Sequence, residues 1–204
     1  MKSLRSLLRV TLALVLWGHV AKADVTLCQI FSDNAVLQRN MPVPVWGWSA
    51  PGEAVTVNFS GQTKKTTADS MGRWSVTLDS MKENANGQLL QASGARNRVE
   101  CRNVVVGEVW IIVGDHKLNH RFLKSGNTGS AGDQLRLAFV MHSGEPSYGA
   151  EQLSVSNWLS DGVPQGIPVA IGKQLQQALT VPVGLVVVAR TGVITPFISV
   201  EGLD

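Results

Sequence analysis

Ala54-Val-Thr-Val-Asn-Phe59 and Trp74-Ser-Val-Thr-Leu78 alternate apolar and polar residues with a period of two. That spacing sends successive side chains to opposite faces of a strand and cannot make one face of a helix. Comparable segments recur at residues 25–31, 43–48 and 89–92, and turn residues stand between them, as in Ala50-Pro51-Gly52, Ser60-Gly61 and Met71-Gly72. Short strands at this spacing, with no helical pattern from Asp24 to Arg102, predict a β-sandwich of about 80 residues that folds as its own all-β unit. Twenty Gly, eight Pro and six Trp fit that texture, and 44% hydrophobic against 16% charged residues exclude a coiled coil, a collagen and a disordered tail.

The texture changes after Arg102. Residues 104–106 lead through Gly107-Glu108 into Val109-Trp-Ile-Ile-Val113, an apolar run of the kind found in a strand covered on both faces. Gly107 is read as a permissive turn into that strand. Two further runs lie at 135–140 and 183–188, and between them residues 169–179 carry apolar positions at helical spacing. The expected architecture is therefore an N-terminal β-sandwich, residues 24–102, followed by a partial α/β domain, residues 103–204, built on parallel strands. Three strands and one helix leave apolar strand surface uncovered, which self-association or the sandwich itself would hide.

The first 23 residues read as a signal peptide: Lys2, Arg5 and Arg9 precede an apolar stretch at 10–20, and Ala21-Lys-Ala23 offers small residues for cleavage before Asp24. The apolar stretch is about half of what a membrane span needs. A secreted or periplasmic protein with no membrane span is expected. The formal charge of +3 comes from this leader, because Lys2, Arg5, Arg9 and Lys22 lie within it and the remainder holds 14 basic against 15 acidic residues. A nucleic-acid partner is not indicated. Cys28 and Cys101 survive cleavage, and in an oxidising compartment they are either a disulfide closing a loop of about 70 residues or two separate thiols.

The run Phe31-Ser-Asp-Asn-Ala-Val-Leu-Gln-Arg39, then Met41-Pro-Val-Pro-Val-Trp-Gly-Trp48, then Pro51-Gly-Glu53 and Val55-Thr-Val57, resembles the sialate O-acetylesterase family of SGNH-type carbohydrate esterases. Ala68-Asp69, Gly72-Arg-Trp74, Val106-Gly-Glu-Val-Trp110 and Val181-Pro-Val-Gly-Leu185 extend the resemblance along the chain. It implies an SGNH-hydrolase-like α/β domain, an acetylated sugar as partner and no cofactor or metal. It also implies a serine nucleophile at the end of the strand after Trp110, followed by Gly-Gln-Ser-Asn, and a late Asp-x-x-His segment supplying the base. At the aligned positions this chain has Val113-Gly-Asp-His-Lys117, and no Asp-x-x-His occurs in it. Val113 has no oxygen to attack an ester, and acyl-enzyme chemistry needs a nucleophile and a base in contact.

Other groups are candidates to substitute for them. Asp115, His116 and His120 form a polar cluster at a predicted strand end, with the histidines at i, i+4 as in a zinc pair. Without an evident third ligand, a solvated helix start is the simpler account. Ser125, Ser130 and Ser143 lack a nucleophile-elbow pattern and read as loop residues. Glu108 is either a lone catalytic carboxylate or a pairing group at the domain junction. Trp46, Trp48 and Trp74 are either a sugar-stacking platform or, as period-two placement favours, sandwich core. Three functions remain: a secreted family member that has lost hydrolysis and binds a glycan or protein, an active esterase using nonstandard groups, and a truncated product without function. Val113 argues against the second, and the intact leader and sandwich pattern argue against the third.

Overall fold

The computed structural model describes residues 24–115, 128–129, 132, 134–143, 152–161, 163–164 and 166–190. The leader expected at residues 1–23 lies outside them. Strands β1 (Thr26–Leu27), β2 (Val36–Gln38), β3 (Val43–Trp48), β4 (Ala54–Phe59), β5 (Gln62–Thr67), β6 (Arg73–Leu78), β7 (Asn84–Ser93) and β8 (Arg98–Asp115) follow one another with no helix between them. Then come β9 (Thr128–Gly129), β10 (Leu135–Ser143), β11 (Gln152–Val155), β12 (Val163–Pro164), helix α1 (Ile167–Leu179) and β13 (Val183–Arg190).

Two sheets face each other across one core in the N-terminal part. β1, β3 and β6 form a small antiparallel sheet, and β4, β5, β7 and the first half of β8 belong to a larger one. Alternation decides which side chains meet. Val43 and Val45 of β3, Trp74, Val76 and Leu78 of β6, Val55, Val57 and Phe59 of β4, and Leu90 and Ala92 of β7 share one buried cluster. Each such side chain taken out of water contributes about 1.5–3 kcal/mol before chain entropy is set against it. The β4–β5 hairpin closes on Ser60 and Gly61, both at positive φ (49° and 76°), as a turn matched to strand twist requires.

β8 is the member that both halves share. Its residues from Arg98 to Val106 pair antiparallel with β7, and those from Glu108 to Asp115 pair in parallel with β13. β2 runs parallel to it at Val105–Gly107. The boundary read near Asn103 falls inside this strand, where Asn103 itself takes the left-handed conformation (φ 55°). Arg136 of β10, 4% exposed, clamps that kink: its Nη1 donates to the carbonyls of Asn103 (2.5 Å) and Asn34 (3.0 Å). Gly107 is no turn. It lies within β8 where a Cβ would collide with the Pro182 carbonyl, and the Glu108 N–H donates to that same oxygen (2.8 Å).

β10, α1 and β13 form the expected strand, helix and strand, with β13 parallel to both β10 and β8. Pro168 stands in the first turn of α1 and Thr180 ends it in the left-handed conformation, donating its N–H to Gln176 O (2.8 Å). Val169 of the helix joins Leu135 and Leu137 of β10 and Val183, Leu185 and Val187 of β13 in a second buried cluster, which closes one face of the sheet. The other face of β8 differs from the sequence expectation of a strand covered on both sides. Ile111 and Val113 are 67% and 60% exposed, since no described element lies over them.

Candidate functional site

Val113 lies on β8 two residues before its end, level with Val188 of β13 and, through it, Val140 of β10. Three parallel strands thus finish together here, and the carboxyl edge of such a sheet is where open α/β folds bind ligands. The sequence resemblance places the nucleophile at this position, and the side chain here is an exposed valine. The Asp115 backbone pairs with Arg190 at the strand end. The Asp115 side chain, His116, His120, Ser125 and Ser130 lie outside the described residues, so the polar cluster has no described geometry. Among the described residues no group of three or more His, Cys, Asp or Glu is placed to hold a metal ion, and no helix is long and apolar enough to cross a membrane.

Glu108 belongs to a different place. Five residues along the strand separate it from Val113, roughly 16 Å at strand rise, too far to serve the same reacting atom. Its Oε1 accepts from Arg39 Nε at 2.6 Å and its Oε2 from Gln38 Nε2 at 3.0 Å. The hydrogen bond from Gln38, and then the Arg39 guanidinium, hold the carboxyl below its usual range. A carboxylate with both oxygens engaged in this way pins β2 to β8, which is a structural task.

Cys28 and Cys101 are free thiols, so the disulfide considered from the sequence is not formed in this structure. Cys101 is buried between the sheets, with its thiol donating to Phe31 O at 3.3 Å, and burial pushes its pKa up to about 11. The three tryptophans divide. Trp74 is core, 3% exposed, but Trp46 and Trp48 are 38% and 47% exposed and contradict the core assignment. Periodicity puts all three on sheet faces without saying which face is inward. On β3 the inner positions are Val43, Val45 and Gly47, leaving the tryptophans outside.

A fold that joins a two-sheet β unit to parallel strands and a crossover helix is β-rich and carbohydrate-esterase-like. A carbohydrate acetylesterase from Xanthomonas citri superposes on it with a TM-score of 0.69 at 27% identity, over 82% of this chain and 40% of that one. The chain therefore spans about two fifths of the length of the esterase it matches. A bacterial immunoglobulin-like domain from the M. primoryensis ice-binding adhesin is 26% identical over 43% of this chain and 100% of its own, with a TM-score of 0.25. No family model and no curated protein matches the chain.

Proposed function

We propose that this is an exported, sialate O-acetylesterase-like protein that has given up ester hydrolysis and binds an O-acetylated glycan. The observation that carries the reading is Val113, a side chain without oxygen two residues before the carboxyl edge of the parallel strands. The similarity to a carbohydrate acetylesterase over 82% of the chain supports the ligand class. The chain from Asp24 through the first half of β8, as far as Val106, supplies the sandwich, and the strands and helix from Glu108 onward supply the SGNH-like part, with copies associating through the uncovered face at Ile111 and Val113.

Acetate release from O-acetylated sugars and p-nitrophenyl acetate tests it, with protein beginning at Asp24 and a denatured blank. The expected rate equals the blank, because losing triad members costs on the order of 10⁴ to 10⁶ in rate. Val113→Ser alone should not restore turnover, since this sequence has no Asp-x-x-His segment to supply the base that the resemblance implies. Saturable turnover above the blank overturns the reading, and its loss in His116→Ala or His120→Ala moves the active site to those residues.

A further inference from the structure

The small sheet turns an unusual outer face to solvent. Trp46 and Trp48 project from it at i, i+2 on β3, so their Cβ atoms stand roughly 6.5–7 Å apart. On β6, Ser75 lies directly opposite Trp46 and Arg73 directly opposite Trp48. Arg73 Nε donates to Asp69 Oδ2 (2.9 Å), while Asp69 Oδ1 accepts the backbone N–H groups of Met71 (2.8 Å) and Arg73 (2.9 Å). The ion pair is therefore held by a tight turn at the rim, with the Arg73 side chain 59% exposed. Trp46, Trp48, Asp69, Arg73 and Ser75, over a floor of Gly47 and Trp74, line an open cavity of about 310 Å³.

The Trp46 indole is oriented before any ligand arrives. Phe31 meets Trp46 edge to face, with centroids 4.8 Å apart and planes at 82°, which fixes the ring that would otherwise sample rotamers. Ordered rings on a sheet cost a ligand little entropy on binding.

Charge and shape select the ligand class. Arg73 is neutralised by Asp69, so the site offers no net positive charge to a phosphate-bearing ligand. It offers two partly exposed indoles with a carboxylate, a guanidinium and a hydroxyl beside them. A pyranose ring has the matching form, with a C–H face to lie on an indole and equatorial hydroxyls that both donate and accept at the rim. The cavity is at the lower end of the range for small-ligand pockets, with room for about one or two such rings.

We propose that the outer face of β3 and β6 is a carbohydrate-binding site, in which Trp46 and Trp48 stack on pyranose rings and Asp69, Arg73 and Ser75 hydrogen-bond their hydroxyls. The site lies on the opposite sheet from Val113 and does not rest on the loss of hydrolysis proposed above.

The test is titration of the full chain with cellohexaose, xylohexaose and mannohexaose, followed by tryptophan fluorescence and calorimetry. Saturable binding to at least one is expected. Trp48→Ala should weaken it about tenfold or more, Arg73→Met less, and Trp48→Phe should retain part of it. Trp48 is half exposed, so Trp48→Ala is expected to keep the parent's circular dichroism and melting; should it unfold, Arg73→Met and Trp48→Phe give the same reading. Lys173→Ala, exposed on α1 and away from both sites, should bind as the parent does. No saturable binding to any of the three sugars overturns the proposal. So does binding unchanged in Trp48→Ala and Arg73→Met, or a Trp48→Ala effect on sedimentation without one on sugar, which would make the face a contact between copies.

Discussion

Glu108 shows at the level of one residue how a reading from sequence narrows to a structural role. A lone carboxylate between Gly107 and Val109 is compatible with catalysis or pairing, and only the fold brings Gln38 and Arg39 onto it from 70 and 69 residues away. Because those partners lower its pKa, Glu108 stabilises the fold in full above the ordinary 4.5 and loses that contribution as pH falls through the lower folded value. Glu108→Gln should therefore cost about 1–2 kcal/mol at pH 7, and the gap to the parent should narrow as pH falls below 4.5 through the lowered folded value, as urea melts across that range would reveal. Cys101 makes the complementary case. With its pKa raised to about 11 by burial, the thiol is protonated at neutral pH and shut off from reagents. Ellman's reagent at pH 8 should leave Cys101 unmodified in native protein and label it in guanidinium; rapid native labelling would show that the core opens there. Trp46 and Trp48 are visible in the sequence as tryptophans of a strand, but their outward side is not, because a period of two is the same pattern whichever face is buried.

At the scale of elements, the strongly patterned segments are legible in the sequence and the weakly patterned ones are not. Residues 54–59, 74–78, 135–140 and 183–188 fall within strands, and the helix read from 169 begins at Ile167, two residues earlier. β5, Gln-Thr-Lys-Lys-Thr-Thr, carries no apolar residue and owes its strand to the β4 hairpin partner, so no hydrophobic pattern announces it. The pattern alone splits β8 into two pieces because Gly107 looks like a turn, whereas it is the close approach of Pro182 that excludes a side chain. The uncovered face of β8 has its own consequence. Ile111 and Val113 lie level with the half-buried Val186 and Val188 of β13, which makes a continuous apolar strip. Strips of that kind on a parallel sheet drive association. Sedimentation should therefore show concentration-dependent self-association of the parent that Ile111→Lys weakens; identical profiles for the two would remove this face as a contact.

The whole molecule is organised around a single strand that two halves share, and this determines where it can be cut. Val104, Val105 and Val106 are at most 1% exposed and belong to the same core as β3, β4 and β7, although they follow the change of texture at Arg102. A fragment 24–102 removes all three, takes away the pairing partner of β2, and deletes the Val109 N–H that donates to Gln38. Each buried valine is worth about 1.5–3 kcal/mol, so the loss approaches the roughly 5–15 kcal/mol that holds a typical domain together. A fragment 24–109 keeps those residues together with the Glu108–Arg39 pair. It still lacks Arg136 on the Asn103 carbonyl and the Trp158 indole, whose Nε1 donates to Ile30 O at 2.8 Å. The expected order of melting is therefore full chain above 24–109 above 24–102, with a cooperative strand-type transition for 24–109 and a broad, weak one for 24–102. Circular dichroism melts of the three proteins measure this. Equal melting of the two fragments would mean that residues 103–109 add nothing to the sandwich, and that its core is complete before β8 turns toward β13.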